Sequence, residues 1–157
     1  MGPKEIIVLR HAEEPSEPGD PDLSSPGRER AERLAAFLPA TFGKPDIVVA
    51  AAANRTSVRS YLTMRPLCSA IGMRIWTQWK ANQVRELTHA LFSEEAFEGR
   101  KIFICWTHLE IPRLAKALKA QPGDYPNSWN EAMFDLILHF KYRRTRKSAV
   151  SQQIQPF

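Results

Sequence analysis

What most constrains this chain is the way short apolar runs alternate with amphipathic stretches. Residues 6–9 (Ile-Ile-Val-Leu), 46–50 (Asp-Ile-Val-Val-Ala) and 101–106 (Lys-Ile-Phe-Ile-Cys-Trp) are compact and rich in β-branched side chains, the pattern of strands buried on both faces. A shorter strand is expected at Arg74-Ile75-Trp76, and a last one at 134–140, where the apolar run is equally compatible with a helix. Between these runs the period changes to that of a helix. Ala31, Leu34, Ala35 and Leu38 mark a helix over 26–38, opened by Ser25-Pro26 and ended by Pro39 and Gly43. Thr56 or Ser57 can cap a second helix, with Pro66 in its later half; a third spans 82–97, and a fourth starts at Ile111-Pro112. Strand and helix alternating in this way predict an α/β fold, a three-layer α/β/α sandwich around a mostly parallel central sheet. At 157 residues, one domain over 1–157 suffices.

In such a sheet, ligands bind beyond the carboxyl ends of the strands, and there the polar residues gather. The first strand ends at Arg10-His11 and runs on to Glu13 and Glu14; the second leads to Arg55 and Arg59; the third strong strand ends at Thr107-His108, with Glu110 two positions on. Residues 15–27 carry four prolines and two glycines, a density that excludes helix and ladder. A loop this long beside a strand end commonly carries function. The expected result is a cationic pocket of two histidines and at least two arginines.

Other classes fit poorly. There is no glycine-rich phosphate loop or dinucleotide fingerprint, and His11, His89, His108 and His139 show no metal-ligand spacing, so no metal and no cofactor is expected. Cys68 and Cys105 lie in apolar contexts and fit no disulfide framework, which favours a reducing, cytoplasmic setting. No apolar segment is long enough to cross a bilayer, and the first residues do not read as a secretory signal. Lys141, Arg143, Arg144, Arg146 and Lys147 account for as much charge as the whole net of +5. The basic segment at 141–147 therefore reads first as a solvated face, and nucleic-acid binding is the lesser alternative.

Four segments also carry a resemblance. Leu9-Arg10-His11-Ala12-Glu13 resembles the Leu-Arg-His-(Gly/Ala)-Glu signature of the histidine phosphatase superfamily, in its phosphoglycerate-mutase-like branch. Leu23, Ser24, Gly27 and Ala31 are similar to that family's helix entry. Arg59 followed four residues later by Thr63 resembles its second-arginine segment, and Trp106-Thr107-His108 its second-histidine segment. The four lie in the family's order.

The resemblance implies a phosphatase that works without a metal, through a phosphohistidine on His11. Arg10, Arg59 and His108 would hold the phosphoryl group, with Arg55 a candidate to share or replace the role of Arg59. The chemistry is coherent, because charge on the equatorial oxygens must be neutralised in the transition state and guanidinium groups do this bidentately. Flanking arginines should keep the His11 ring neutral, and a backbone carbonyl after the strand is expected to fix its tautomer. The general acid is open, with Glu110 the first candidate, Glu13 the second, and Glu86 a further carboxylate on the third helix. Substrates would be a phosphorylated small molecule or a phosphoprotein, and mutase activity is the lesser reading. Leu109 stands where the family usually has glycine, and Ala50-Ala51-Ala52-Ala53-Asn54-Arg55 replaces its usual Ser-Pro entry. These departures leave open a second reading, a non-catalytic phosphate- or phosphoprotein-binding member of the same fold.

Overall fold

A computed structural model describes residues 2–143 and 149–157. In chain order the elements are β1 (Glu5–Arg10), α1 (Ser25–Phe42), β2 (Ile47–Ala50), α2 (Arg59–Ile71), β3 (Ile75–Trp76), α3 (Val84–Ser93), a 3-10 turn (Glu95–Phe97), β4 (Lys101–Trp106), α4 (Ile111–Ala117), β5 (Leu136–Lys141) and β6 (Ala149–Ile154). The strands form one six-stranded sheet in the order β3-β2-β4-β1-β5-β6. β1, β2, β3 and β4 run parallel; β5 is antiparallel to β1, and β6 to β5. The expected α/β sandwich with a mostly parallel sheet is what forms.

Alternation along each strand explains the layering. Ile6 and Val8 of β1 join Ile102, Ile104 and Trp106 of β4 on one face, where Leu87 and Leu91 of α3 and Leu114 of α4 cover them. Ile7 and Leu9 point the other way, with Val48, Phe103 and Cys105, under Leu34 and Leu38 of α1 and Met64 and Leu67 of α2. Each such side chain, once buried, contributes roughly 1.5–3 kcal/mol. Trp79 and Trp129 are buried in the first of these clusters, and both cysteines are free and buried. Among the described residues no helix is long and apolar enough to cross a membrane.

Several boundaries differ from the sequence expectation. Ser24, not Ser25, caps α1, its hydroxyl accepting from the Gly27 N–H at 3.0 Å. Pro39 does not end that helix, which runs to Phe42; a single proline in the last turn removes one hydrogen bond, and termination falls to Gly43 at φ 83°. Neither Thr56 nor Ser57 is the cap residue of α2. Both N–H groups are taken by the Asn54 side chain in the preceding turn, and Val58 holds the cap position. The third helix ends at Ser93, before the 3-10 turn. The apolar run near the C-terminus is a strand, and β6 is an addition, an edge strand exposed along most of its length. Of the basic segment, Arg144, Arg146 and Lys147 lie outside the described residues; Lys141 ends β5.

Candidate active site

The pairing of β1 with β4 sets the site. Arg10 stands opposite Trp106, and the His11 N–H extends the ladder to the Trp106 carbonyl at 3.1 Å. Neighbouring strands lie about 4.8 Å apart, so His11 and Thr107-His108 leave the sheet side by side. β2 pairs with the other edge of β4 and delivers the chain, through Ala51 and Ala52, to Arg59 at the start of α2. These ends and the loop after β1 enclose a cleft of about 470 Å³, whose lining includes His11, Glu14, Arg59, His108 and Leu109.

His11 is almost fully buried, with 4% of its surface exposed. Its Nδ1 lies 2.8 Å from the Ala12 carbonyl oxygen, a pure acceptor, so Nδ1 carries the proton and Nε2 keeps its lone pair. The preceding peptide is held as well, because the Ala12 N–H donates to the Thr63 hydroxyl at 2.9 Å and that hydroxyl donates to the Arg59 carbonyl at 2.7 Å. Burial, reinforced by the Arg10 and Arg59 guanidiniums, holds the His11 imidazolium down to about 4, against an opposing contribution from the Ala12 carbonyl. The ring is neutral at physiological pH.

Arg10 is 1% exposed. One terminal nitrogen, Nη1, donates to the Glu131 and Met133 carbonyls at 2.6 and 3.1 Å, and the guanidinium lies 3.7 Å over the centre of the Phe134 ring. Desolvation lowers its pKa to about 10, which leaves it charged. Among the described residues, Nε and Nη2 of Arg10 and Nδ1 of His108 are buried with no hydrogen-bond partner. Buried polar atoms without a hydrogen bond are expensive, and here they belong to two residues at the same end of adjacent strands. Burial, then the Arg10 charge, lowers the pKa of His108 as well. Arg59 donates to the Asp20 and Asp22 carbonyls at 2.8 and 3.1 Å, tying down the proline-rich loop, and its Nη1 is 3.6 Å from Glu14.

The structure thus brings Arg10, His11, Arg59 and His108 together, and does not bring the other candidates with them. Arg55 is exposed and does not line the cleft. Glu110, first choice for the acid, is engaged by Arg113, whose Nε and Nη2 both lie 2.9 Å from one carboxylate oxygen. Glu13 is held by Arg30 at 2.8 and 3.2 Å. Glu86 lines a different groove on α3. Neither Glu110 nor Glu13 borders the cleft; each is turned out of it by an arginine that sequence spacing does not reveal. The carboxylate that does border it is Glu14, which sequence reasoning passed over although it stands beside Glu13. Arg30 also donates to the Gln155 side chain and the Phe157 carbonyl, so the C-terminal segment packs behind Glu13.

No protein-family model and no curated protein sequence matches this chain. Solved structures do resemble it. A mycobacterial glucosyl-3-phosphoglycerate phosphatase superposes with a TM-score of 0.66 at 15% identity, over 96% of this chain and 97% of its own. The protein histidine phosphatase SixA, complexed with tungstate, gives 0.65 at 10% identity over 96% of each chain. A phosphoglycerate mutase from Plasmodium falciparum gives 0.58 at 11% identity, over 97% of this chain and 89% of its own. At these identities the likeness is one of architecture, and the chain has the phosphoglycerate-mutase-like fold.

Proposed function

We propose that this protein is a phosphoric monoester hydrolase that works without a metal, through a phosphohistidine on His11. One observation carries the reading: a neutral, buried imidazole shares a cleft with Arg59 and His108 and follows Arg10 directly in the chain, and Nε and Nη2 of Arg10 and Nδ1 of His108 are buried with no hydrogen-bond partner among the described residues. The Nε2 lone pair attacks phosphorus, and the bond to the leaving oxygen breaks in line. Arg10, fixed by two carbonyls and an aromatic face, presents Nε and Nη2 to the non-bridging oxygens. Arg59 and His108 add charge and a further donor as the transition state forms. Water then cleaves the P–N bond and releases phosphate. Phosphorylated small molecules or phosphoproteins are the substrate range, spanned by the glucosyl-3-phosphoglycerate phosphatase and the protein histidine phosphatase that the chain resembles. Two reduced, buried cysteines support a cytoplasmic setting.

The test is release of nitrophenol from p-nitrophenyl phosphate in the presence of a chelator. His11→Ala should reduce it to background, and substantial activity in that variant would defeat the mechanism. A second reading, phosphate binding without turnover, is favoured by the capture of Glu13 and Glu110 in ion pairs. It predicts thermal stabilisation by inorganic phosphate with no nitrophenol released by the wild-type protein.

A further inference from the structure

Once Glu110 and Glu13 are accounted for, the source of the proton for the leaving group is an open question in this cleft. We propose that Glu14 supplies it; the assignment rests on the phosphohistidine reading above. Three observations point there. Glu14 is the one acidic side chain in the lining of the cleft as described. Its carboxylate reaches Arg10 Nη2 at 3.7 Å and Arg59 Nη1 at 3.6 Å, so it stands against both guanidiniums that would grip a phosphoryl group. Both contacts are longer than a hydrogen bond, in contrast with the 2.8–2.9 Å contacts that immobilise Glu13 and Glu110, so a phosphate can take over the arginines without first dismantling a tight pair.

The direction of the reaction adds to this. An in-line displacement puts the leaving oxygen on the far side of phosphorus from the nucleophile. His11 is buried at the floor, whereas the Glu14 side chain is 43% exposed at the mouth. The axis from His11 outward therefore delivers the leaving oxygen to the side where Glu14 stands. In the first step the His11 Nε2–P bond forms as the P–O ester bond breaks. The electron pair of that bond goes to the leaving oxygen, which takes the Glu14 proton. In the second step the Glu14 carboxylate accepts a proton from the attacking water as its oxygen bonds to phosphorus and the P–N bond breaks. The acid is thereby restored.

Leaving-group dependence tests the assignment. kcat/KM would be measured for a series of para-substituted phenyl phosphates, from p-nitrophenyl to unsubstituted phenyl, with wild-type and Glu14→Gln protein. A phenolate stabilised by the nitro group departs with little help from an acid; a plain phenolate needs the proton. The wild-type dependence should be shallow and that of Glu14→Gln steep. The expected loss on phenyl phosphate is about 100-fold, and the loss on p-nitrophenyl phosphate about tenfold smaller. Equal losses across the series would mean that Glu14 only positions the arginines and would overturn the proposal. So would a uniform gain, which would make the carboxylate an obstruction, or a dependence already steep in the wild-type protein. Inactivity of His11→Ala on the whole series separates these results from failure of the phosphohistidine reading itself.

Discussion

Acid should destabilise this protein through His11. The folded chain holds the ring neutral down to about 4, against an ordinary 6.5. As pH falls below 6.5 the unfolded chain takes up a proton that the folded one refuses, so stability falls from 6.5 towards 4 and the full contribution is present only above that window. At about 1.4 kcal/mol per pH unit, the loss between pH 7 and pH 4 comes to about 3 kcal/mol. Urea unfolding of the wild-type protein and of His11→Asn, at pH 7, 6, 5 and 4, isolates the effect. Carboxylates titrate in both proteins and cancel in the difference, as does His108 as long as the substitution leaves its surroundings intact. The wild-type midpoint should fall further than that of the variant, by about 1–3 M urea for a slope of about 1–3 kcal/mol per M. Parallel curves for the two proteins would refute the argument, because they would mean that the ring protonates as easily folded as unfolded.

Three further substitutions probe the supports of the site. A Cβ added at Gly27 would stand 2.3 Å from the Glu13 carbonyl oxygen, so Gly27→Ala should cost about 1–3 kcal/mol in thermal or urea unfolding, with activity reduced as the loop after β1 is pushed aside. Thr63→Val removes the acceptor of the buried Ala12 N–H; it should cost about 1–3 kcal/mol and lower kcat, since the carbonyl that fixes the His11 tautomer belongs to the neighbouring peptide. Arg10→Lys cannot grip two carbonyls, lie over Phe134 and still offer two donors; kcat/KM should fall about 100-fold, and stabilisation by inorganic phosphate, read by thermal shift, should largely disappear.

What could be read from the sequence follows from where the physics is local. Strands β1, β2 and β4 are buried on both faces, so their apolar runs are continuous and their ends abrupt, which marks Arg10, His11 and His108 in the sequence as strand-end residues. β6 has the opposite character. Ala-Val-Ser-Gln-Gln-Ile is exposed along most of its length and offers neither alternation nor an apolar run; its partner β5 supplies the ladder, not its own side chains. The supports of Arg10 were equally hidden, because the carbonyls of Glu131 and Met133 lie more than 120 residues away and any residue type can supply a carbonyl.

The choice of acid shows the limit most sharply, because Glu13 and Glu14 are adjacent and chemically identical. What separates them lies on α1. With no side chain at Gly27, the helix can pack its backbone against that of Glu13. Residues three apart share a helical face, so the same approach sets Arg30 against the Glu13 carboxylate, where Gln155 and the Phe157 carbonyl hold it in turn. Glu13 is drawn out of the cleft by that clamp, and Glu14 is left facing the two arginines that would bind phosphate. Strand ends disclose which charges meet at the edge of a sheet; which of two neighbouring carboxylates turns inward depends on the helix packed behind them.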